Sequence, residues 1–176
     1  MKSKQLISIC LSFIILFAIS CKNDDKTGSD GGDLVSSVPD ANTSGGQASG
    51  LADAFYTGTL TRTDLKVDPT SQATMASAVF PESYPSGEVS IYSDTFTGGG
   101  PMSMLVSAPI YQSGTDYEAS FENSAQGAKT YIKFKISGDT LEVTQYITGA
   151  TTEGVSMQAT YTGTLTKQTV VSWLYN

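Results

Sequence analysis

Few side chains in this sequence could carry out chemistry. It has no histidine, and its two cysteines are Cys10 and Cys21. Because histidine titrates near neutral pH and is the usual base of nucleophilic triads, histidine-based catalysis is excluded. Zinc and copper sites built on histidine or paired cysteines are excluded as well. Calcium bound by carboxylates such as Asp64 and Asp68 stays conceivable, although no complete ligand loop surrounds them.

The carboxylates and glycines form no recognisable catalytic set. Glu118 and Glu142 fall on predicted strands that also carry lysines, so we expect them in cross-strand charge pairs, each contributing about 0.2 to 1 kcal/mol. Gly98-Gly99-Gly100 lies between two strand patterns, which indicates a hairpin loop and not a phosphate-binding loop. We therefore predict that the protein is not an enzyme and uses no cofactor and no metal ion.

Cys21 is the residue with the clearest chemical meaning. Lys2 and Lys4 precede an apolar run from Leu6 to Ile19, and a polar acidic stretch begins directly after Cys21. The run has 14 residues, whereas a helix needs about 20 apolar residues to cross a bilayer. This pattern is typical of a cleaved signal peptide, here residues 1–20.

The segment Ala18-Ile19-Ser20-Cys21 resembles the lipobox of bacterial lipoproteins, with Ala18 where leucine is usual. The resemblance implies that Cys21 is acylated and becomes the first residue of the mature chain. The alternative is an ordinary cleavage site that leaves Cys21 unmodified. Since Cys10 is removed with the signal peptide, the mature chain can form no internal disulfide.

The resemblance also implies a location in the cell envelope, with the acyl chains as membrane contact and the outer membrane as the predicted site. The acidic cluster of Asp24 and Asp25, beside Lys22, is similar to export tags that carry some lipoproteins to the cell surface; a solvated linker is the alternative. Residues 22–50 contain six glycines and few large apolar residues. Together with Cys21 they are predicted to form a disordered tether over residues 21–50, with a reach of about 30 Å.

The charge of the chain excludes one class of partner. Its formal net charge is −7 and becomes −9 once Lys2 and Lys4 are removed. Nucleic-acid binding is therefore not expected. Direct electrostatic attachment to anionic lipids is disfavoured for the same reason.

Residues 51–176 are predicted to form one all-β domain, because apolar and polar residues alternate with period two almost throughout. Eight short antiparallel strands with short links predict an up-and-down β-barrel. Asp68-Pro69 could instead begin a short helix over 70–78, which would cover a barrel mouth as a lid or plug. The run 170–175 either adds a strand or packs across the barrel. The predicted strands lie near residues 53–63, 73–80, 87–95, 102–111, 115–123, 129–137, 140–148 and 156–167.

Two loops predict the register of the central strands. A two-residue turn at Gly138-Asp139 sets Lys135 opposite Glu142, Phe134 opposite Val143 and Tyr131 opposite Tyr146. Closing the preceding loop, near residues 123–128, is expected to set Phe134 opposite Ala119 and Glu118 opposite Lys135. Lys135 would then lie between two carboxylates on the outer surface.

Residues 56–61 and 161–166 are identical hexapeptides, Tyr-Thr-Gly-Thr-Leu-Thr. Their alternation places Tyr, Gly and Leu on one side and the threonines on the other. We interpret the repeat as two strands in equivalent environments that pair to close the barrel, with Gly58 and Gly163 permitting a strong bend. Convergent strand composition is the alternative.

The predicted architecture resembles lipocalin-like lipoproteins, which bind small apolar molecules inside a barrel. Their Gly-x-Trp signature is absent, since Leu60 stands two residues after Gly58. The resemblance implies a carrier of a small apolar or amphipathic ligand. The alternative is a surface interaction protein, such as an adhesin, or a structural lipoprotein with a solid barrel core, in which the outward Tyr92, Tyr131 and Tyr146 could contact a protein partner. The lumen candidates are Tyr56, Met75, Met102, Met104, Phe134, Met157 and Tyr161.

Overall fold

The computed structural model describes residues 34, 37–67, 73–97, 107–123, 128–150 and 156–169. The signal peptide, Cys21 and most of the predicted tether lie outside the described residues. So do Asp68, the triple glycine 98–100, Met102, Met104 and the run 170–175.

One antiparallel sheet contains all nine strands of the described residues. Its strand order, β4-β3-β2-β1-β9-β8-β7-β6-β5, is the chain order wrapped around a cylinder. The two end strands, β4 and β5, are consecutive in the chain, so the sheet is a nearly closed up-and-down barrel with its break between them. The strands are β1 Ala54–Val67, β2 Ser83–Tyr92, β3 Thr95–Thr97, β4 Ser107–Pro109, β5 Tyr111–Ser113, β6 Asp116–Asn123, β7 Ala128–Ser137, β8 Thr140–Ala150 and β9 Ser156–Gln168.

The all-β barrel is confirmed, but two predicted strands are divided. The described part of 102–111 is interrupted at Ile110, whose N–H donates to the Asp94 carbonyl (3.1 Å) and whose carbonyl accepts from the Ala48 N–H (2.8 Å). β4 therefore pairs with β3 and β5 with β6. The predicted strand 87–95 contains a turn at Ser93 and Asp94, with φ of 50° and 62°, a conformation that aspartate tolerates better than most residues.

The predicted strand 73–80 is wrong, and the alternative of a short helix is correct. Helix α1 spans Ala73–Val79. Ala76 and Phe80 are fully enclosed in the core, and the Phe80 N–H donates to the Ala76 carbonyl (2.8 Å). The Phe80 ring reaches across to β8, where it lies 3.5 Å from the position of a Cβ on Gly149. Since i and i+4 share one helix face, a single face of this segment plugs the barrel mouth.

The two identical hexapeptides lie opposite each other, as the closure interpretation predicts. β1 pairs antiparallel with β9, with Thr57 opposite Thr166 and Thr61 opposite Thr162. A Cβ on Gly163 would lie 2.4 Å from the Thr59 carbonyl oxygen and 2.9 Å from Leu60 Cδ2. Glycine is required there because the backbones and the Leu60 side chain approach too closely for any other residue.

The β7–β8 register is confirmed, and the β6–β7 register is wrong by two residues. Ser137 pairs with Thr140 across the two-residue turn, and Lys135 lies opposite Glu142. In β6, however, Phe134 lies opposite Tyr117 and not Ala119. The observed register stacks these two rings, with centroids 5.5 Å apart. A two-residue shift leaves every side chain on its predicted face, so alternation alone could not detect it.

The shifted register also changes the predicted charge cluster. Glu118 lies opposite Lys133 and not Lys135. Glu118 is buried and accepts from the Asn42 N–H (2.8 Å), so it is not part of an open charge cluster.

Residues 37–50, predicted to belong to the disordered tether, instead lie along the outer wall of the barrel. We call them the strap. It crosses from β9, where Ser37 Oγ donates to Gln158 Oε1 (2.8 Å), to β5, where Gly46 O accepts from the Gln112 N–H (3.1 Å). Between these points Asp40 forms a 2.8 Å ion pair with Lys129, whose side chain is only 7% exposed. Val38, Ala41 and Ala48 of the strap are also buried, so the strap is attached by a few small apolar residues together with polar contacts that composition does not reveal.

The strap also covers the break in the barrel. Gln47 forms an isolated bridge with Tyr111 on β5. Beyond it, the Asp94 carboxylate accepts from the N–H groups of Gly50 (3.2 Å) and Leu51 (2.7 Å). The backbone edge of β5 that would otherwise be open to pairing is therefore occupied by the chain itself.

Replacing Gly45 with alanine is expected to detach the strap near β5 while the barrel stays folded. A Cβ on Gly45 would lie 1.7 Å from the Gln112 carbonyl oxygen, so the strap has to move. We expect faster amide exchange at Ala48 and Gln112 and faster proteolysis within 43–50. The control is Thr43→Ala, which truncates an exposed side chain of the strap. Equal exchange rates in the two variants would contradict a tightly seated strap.

Candidate functional site

The described lumen candidates all point into the barrel. Tyr56, Phe134, Met157 and Tyr161 are buried and belong to one core cluster. Met75 lies in α1, but its side chain is outside the described residues, as are Met102 and Met104 altogether. The structure thus brings four of the seven candidates together and leaves the other three unplaced.

The inward side chains are packed against one another. Leu60, Phe80, Leu141, Tyr161 and Leu165 have 0% of their surface exposed. A side chain that lined a water-sized internal cavity would show exposed surface there, so these residues border no such space. Around these residues the interior is close-packed in the manner of a protein core.

A row of polar side chains crosses the interior just below the plug. Gln145 and Tyr161 are paired across β8 and β9, and Arg62 follows on β1. The Tyr161 hydroxyl donates to the Pro81 carbonyl (2.8 Å), and Arg62 Nη1 donates to the Phe80 carbonyl. Tyr161, a predicted ligand contact, therefore holds the segment that connects α1 to β2.

Raising the pH above 10 is expected to destabilise the barrel through Tyr161. Burial raises the pKa of Tyr161 to about 12, whereas an unfolded tyrosine titrates near 10. As the pH rises, the Tyr161 hydroxyl loses its proton in the unfolded chain before it does so in the folded chain. Its contribution to the free energy of unfolding is therefore fully present below about pH 10 and falls by up to about 3 kcal/mol as the pH rises to 12. We expect Tyr161→Phe to lower stability at pH 7 by about 1 kcal/mol and to flatten this alkaline loss in urea unfolding. An unchanged alkaline slope would contradict the assignment to Tyr161. Burial, and next Glu118, also raise the pKa of Tyr131, and burial raises that of Tyr56, so a residual alkaline slope stays in the variant.

An open groove of 460 Å³ lies on the outer wall across β7, β8 and β9. Its floor is a row of backbone at Phe134, Val143 and Gly163, which lie opposite one another on the three strands. The side chains of Phe134 and Val143 point inward and are buried. The floor therefore presents mainly peptide groups.

Two rows of outward side chains form the walls of the groove. Because outward residues alternate along a strand, the rows stand about 6.8 Å apart. The first row is Lys133, Thr144 and Thr162, and the second is Lys135, Glu142 and Thr164.

Two cations and two anions balance each other in the groove. Asp116, at the start of β6, also lines it and forms a 2.7 Å ion pair with Lys133. This hydrogen bond lowers the pKa of Asp116 and raises that of Lys133, so both side chains stay charged at neutral pH. Lys135, opposite Glu142, lowers the pKa of Asp116 further.

Two of the three threonines that line the groove come from the second hexapeptide. Thr162 and Thr164 point outward from β9, and Thr61 of the first hexapeptide continues the first row on β1. The sequence shows the alternation that sends these threonines outward and the Lys135–Glu142 pair. The groove could not be predicted from it, since the alignment of rows across three strands depends on register.

In the part of the chain that the structure describes, no three acidic or cysteine side chains cluster as a metal site. Asp64, considered for calcium, lies 3.8 Å from the Lys66 ammonium. None of the helices in the described ranges is long and apolar enough to span a bilayer. No protein-family model, no curated protein and no solved structure matches this chain.

Proposed function

We propose that this chain is a lipid-anchored envelope protein, without enzymatic activity, that acts through the outer surface of its barrel. The observation that carries the proposal is the enclosed interior. Leu60, Tyr161 and Leu165 line no water-sized space, whereas the outer wall bears an open polar groove. A partner reaches the wall without any rearrangement of the core.

The anchor in this proposal is Cys21, which follows the signal peptide and resembles a lipobox cysteine. Acyl chains bind the membrane through buried methylenes, each contributing about 0.8 kcal/mol. The acidic chain itself, with a net charge of −7, has little electrostatic attraction to an anionic bilayer.

Metabolic labelling with an alkyne fatty acid tests the anchor, and protease treatment of intact cells tests the surface position. We expect the fatty-acid label on the native chain and none on the Cys21→Ala variant. We also expect the native protein in the outer-membrane fraction and its cleavage by external protease. An unlabelled native chain contradicts the anchor. Complete protection in intact cells, with cleavage after lysis, contradicts action at the cell surface.

A small apolar ligand inside the barrel is the second candidate. It is supported by α1, a separate element over the barrel mouth that could move without breaking a strand pair, since no strand includes Ala76 or Phe80. Native mass spectrometry of the purified chain tests it. A co-purified apolar molecule of defined mass supports the carrier, and its absence together with flat titrations of fluorescent lipid analogues contradicts it.

A further inference from the structure

We propose that the groove across β7, β8 and β9 binds a neutral glycan. This inference deepens the proposed surface function and rests on it for its biological setting. The site consists of the backbone floor at Phe134, Val143 and Gly163 and the two flanking rows of polar side chains.

The shape of the groove suits an extended chain of sugar rings. It runs across the three strands between rows whose centres stand about 6.8 Å apart, so a helix about 10 Å in diameter cannot enter it, whereas an extended chain can lie along it. The first row continues onto β1 through Thr61, opposite Thr162. A linear oligosaccharide lying across the strands could therefore contact threonine hydroxyls on three successive strands, β8, β9 and β1.

The charges of the groove favour a neutral ligand. Lys133 and Lys135 are balanced by Asp116 and Glu142, so the site offers an ion of either sign no net attraction. The protein as a whole has a net charge of −7, which repels anionic polymers. An apolar ligand would desolvate the charged walls without hydrogen bonds in return, which costs free energy.

A peptide is a poorer candidate than a glycan. A peptide added as a strand needs an open edge, and β7, β8 and β9 are each paired on both sides. The walls instead offer donors and acceptors side by side. A vicinal diol can accept from the Lys135 ammonium and donate to the Glu142 carboxylate, while a threonine hydroxyl does both.

An aromatic ring lies in the outward row next to the first wall of the groove. Tyr146 points outward from β8 two residues beyond Thr144, and its ring packs against Tyr131 with centroids 5.8 Å apart. Tyr146 is half-buried, so part of its side chain is open to a ligand. Tyr131, next to it, is almost fully enclosed.

Titration of the full chain, purified in detergent, with neutral oligosaccharides tests this proposal. The probes are the hexamers of glucose in α-1,4 and β-1,4 linkage, of mannose and of N-acetylglucosamine, with oligogalacturonate as the acidic comparison. Binding is followed by amide NMR shifts up to about 10 mM ligand, the weak limit of specific recognition. We expect at least one neutral hexamer to shift the amides of Thr144, Thr162 and Gly163.

Two double variants locate the site. Thr162→Val with Thr164→Val removes two hydroxyls at nearly constant volume and is expected to weaken binding about tenfold, as the loss of a net hydrogen bond would. The control, Thr57→Val with Thr166→Val, changes a pair of threonines from the same two hexapeptides that lies outside the groove and is expected to bind like the native chain. Circular dichroism and thermal unfolding verify that both fold.

The proposal is overturned if no neutral hexamer binds, if shifts lie away from the groove, if oligogalacturonate alone binds, or if both double variants weaken binding equally. These outcomes are separate from those of the proposed function. If no glycan binds, the proposals of acylation and surface exposure are unaffected. Conversely, a chain that carries no acyl groups can still bind a glycan in vitro.

Discussion

Gly163→Ala is expected to destabilise the barrel by about 3 kcal/mol, at the upper end of overpacking substitutions. The added Cβ would lie 2.4 Å from the Thr59 carbonyl oxygen and 2.9 Å from Leu60 Cδ2. The carbonyl belongs to a paired backbone, so β1 and β9 have to separate where they close the sheet. Urea unfolding followed by circular dichroism measures the loss.

Two glycines serve as controls for this experiment. Gly149→Ala places a Cβ 3.5 Å from Phe80 Cζ, an ordinary contact, and is expected to change stability by less than about 0.5 kcal/mol. Gly58→Ala, at 3.0 Å from both Thr164 O and Leu165 Cδ2, is expected to fall between the two. Equal losses at all three positions would show that glycine substitution itself, and not the close approach of β1 and β9, is responsible.

Phe80→Ala is expected to cost about 3 to 5 kcal/mol, because it removes a fully buried ring from the barrel mouth. The ring joins α1 to β8, where it lies against Gly149. Its loss should also increase amide exchange at Ala76 and in the rest of α1. The matched control is Ser77→Ala, an exposed position of the same helix, with an expected change below about 0.5 kcal/mol.

A loss at Phe80 no larger than at Ser77 would contradict the plug. The same variant also separates the two candidate functions. If binding of fluorescent lipid analogues appears only in Phe80→Ala, the native interior is solid, and the carrier function is a property of the cavity that the substitution creates. If the native chain binds the analogues equally well, the native interior can itself accept a ligand, and the surface role loses its main support.

Local sequence features predicted the elements whose register is set by a short turn. Gly138-Asp139 gave the pairing of β7 and β8 because a two-residue turn leaves only one way to align the strands. The identical hexapeptides gave the pairing of β1 and β9, since two strands with the same pattern of small and large residues occupy equivalent positions. In both cases the decisive residues lie within the paired strands or the turn between them.

Features that depend on distant contacts could not be predicted. The strap looks like a linker in composition, and its attachment depends on single partners such as Lys129 for Asp40 and Glu118 for Asn42. Whether residues 73–80 form a strand or a helix depends on the space at the barrel mouth, which distant strands create and Phe80 fills. The groove arises from the alignment of three strands, so no single segment contains it.

In the proposed lipid-anchored form, the strap also makes the length of the membrane attachment variable. With residues 37–50 docked, at most the 15 residues 22–36 separate Cys21 from the barrel wall. Each strap residue that is released adds up to about 3.5 Å to the maximal span. The contacts at Gln158, Lys129, Ser120 and Gln112 are scattered along the strap, so tension on an anchored Cys21 would break them one after another. The strap would thus detach step by step under tension. The connection between Cys21 and the barrel would lengthen before any strand of the barrel is pulled.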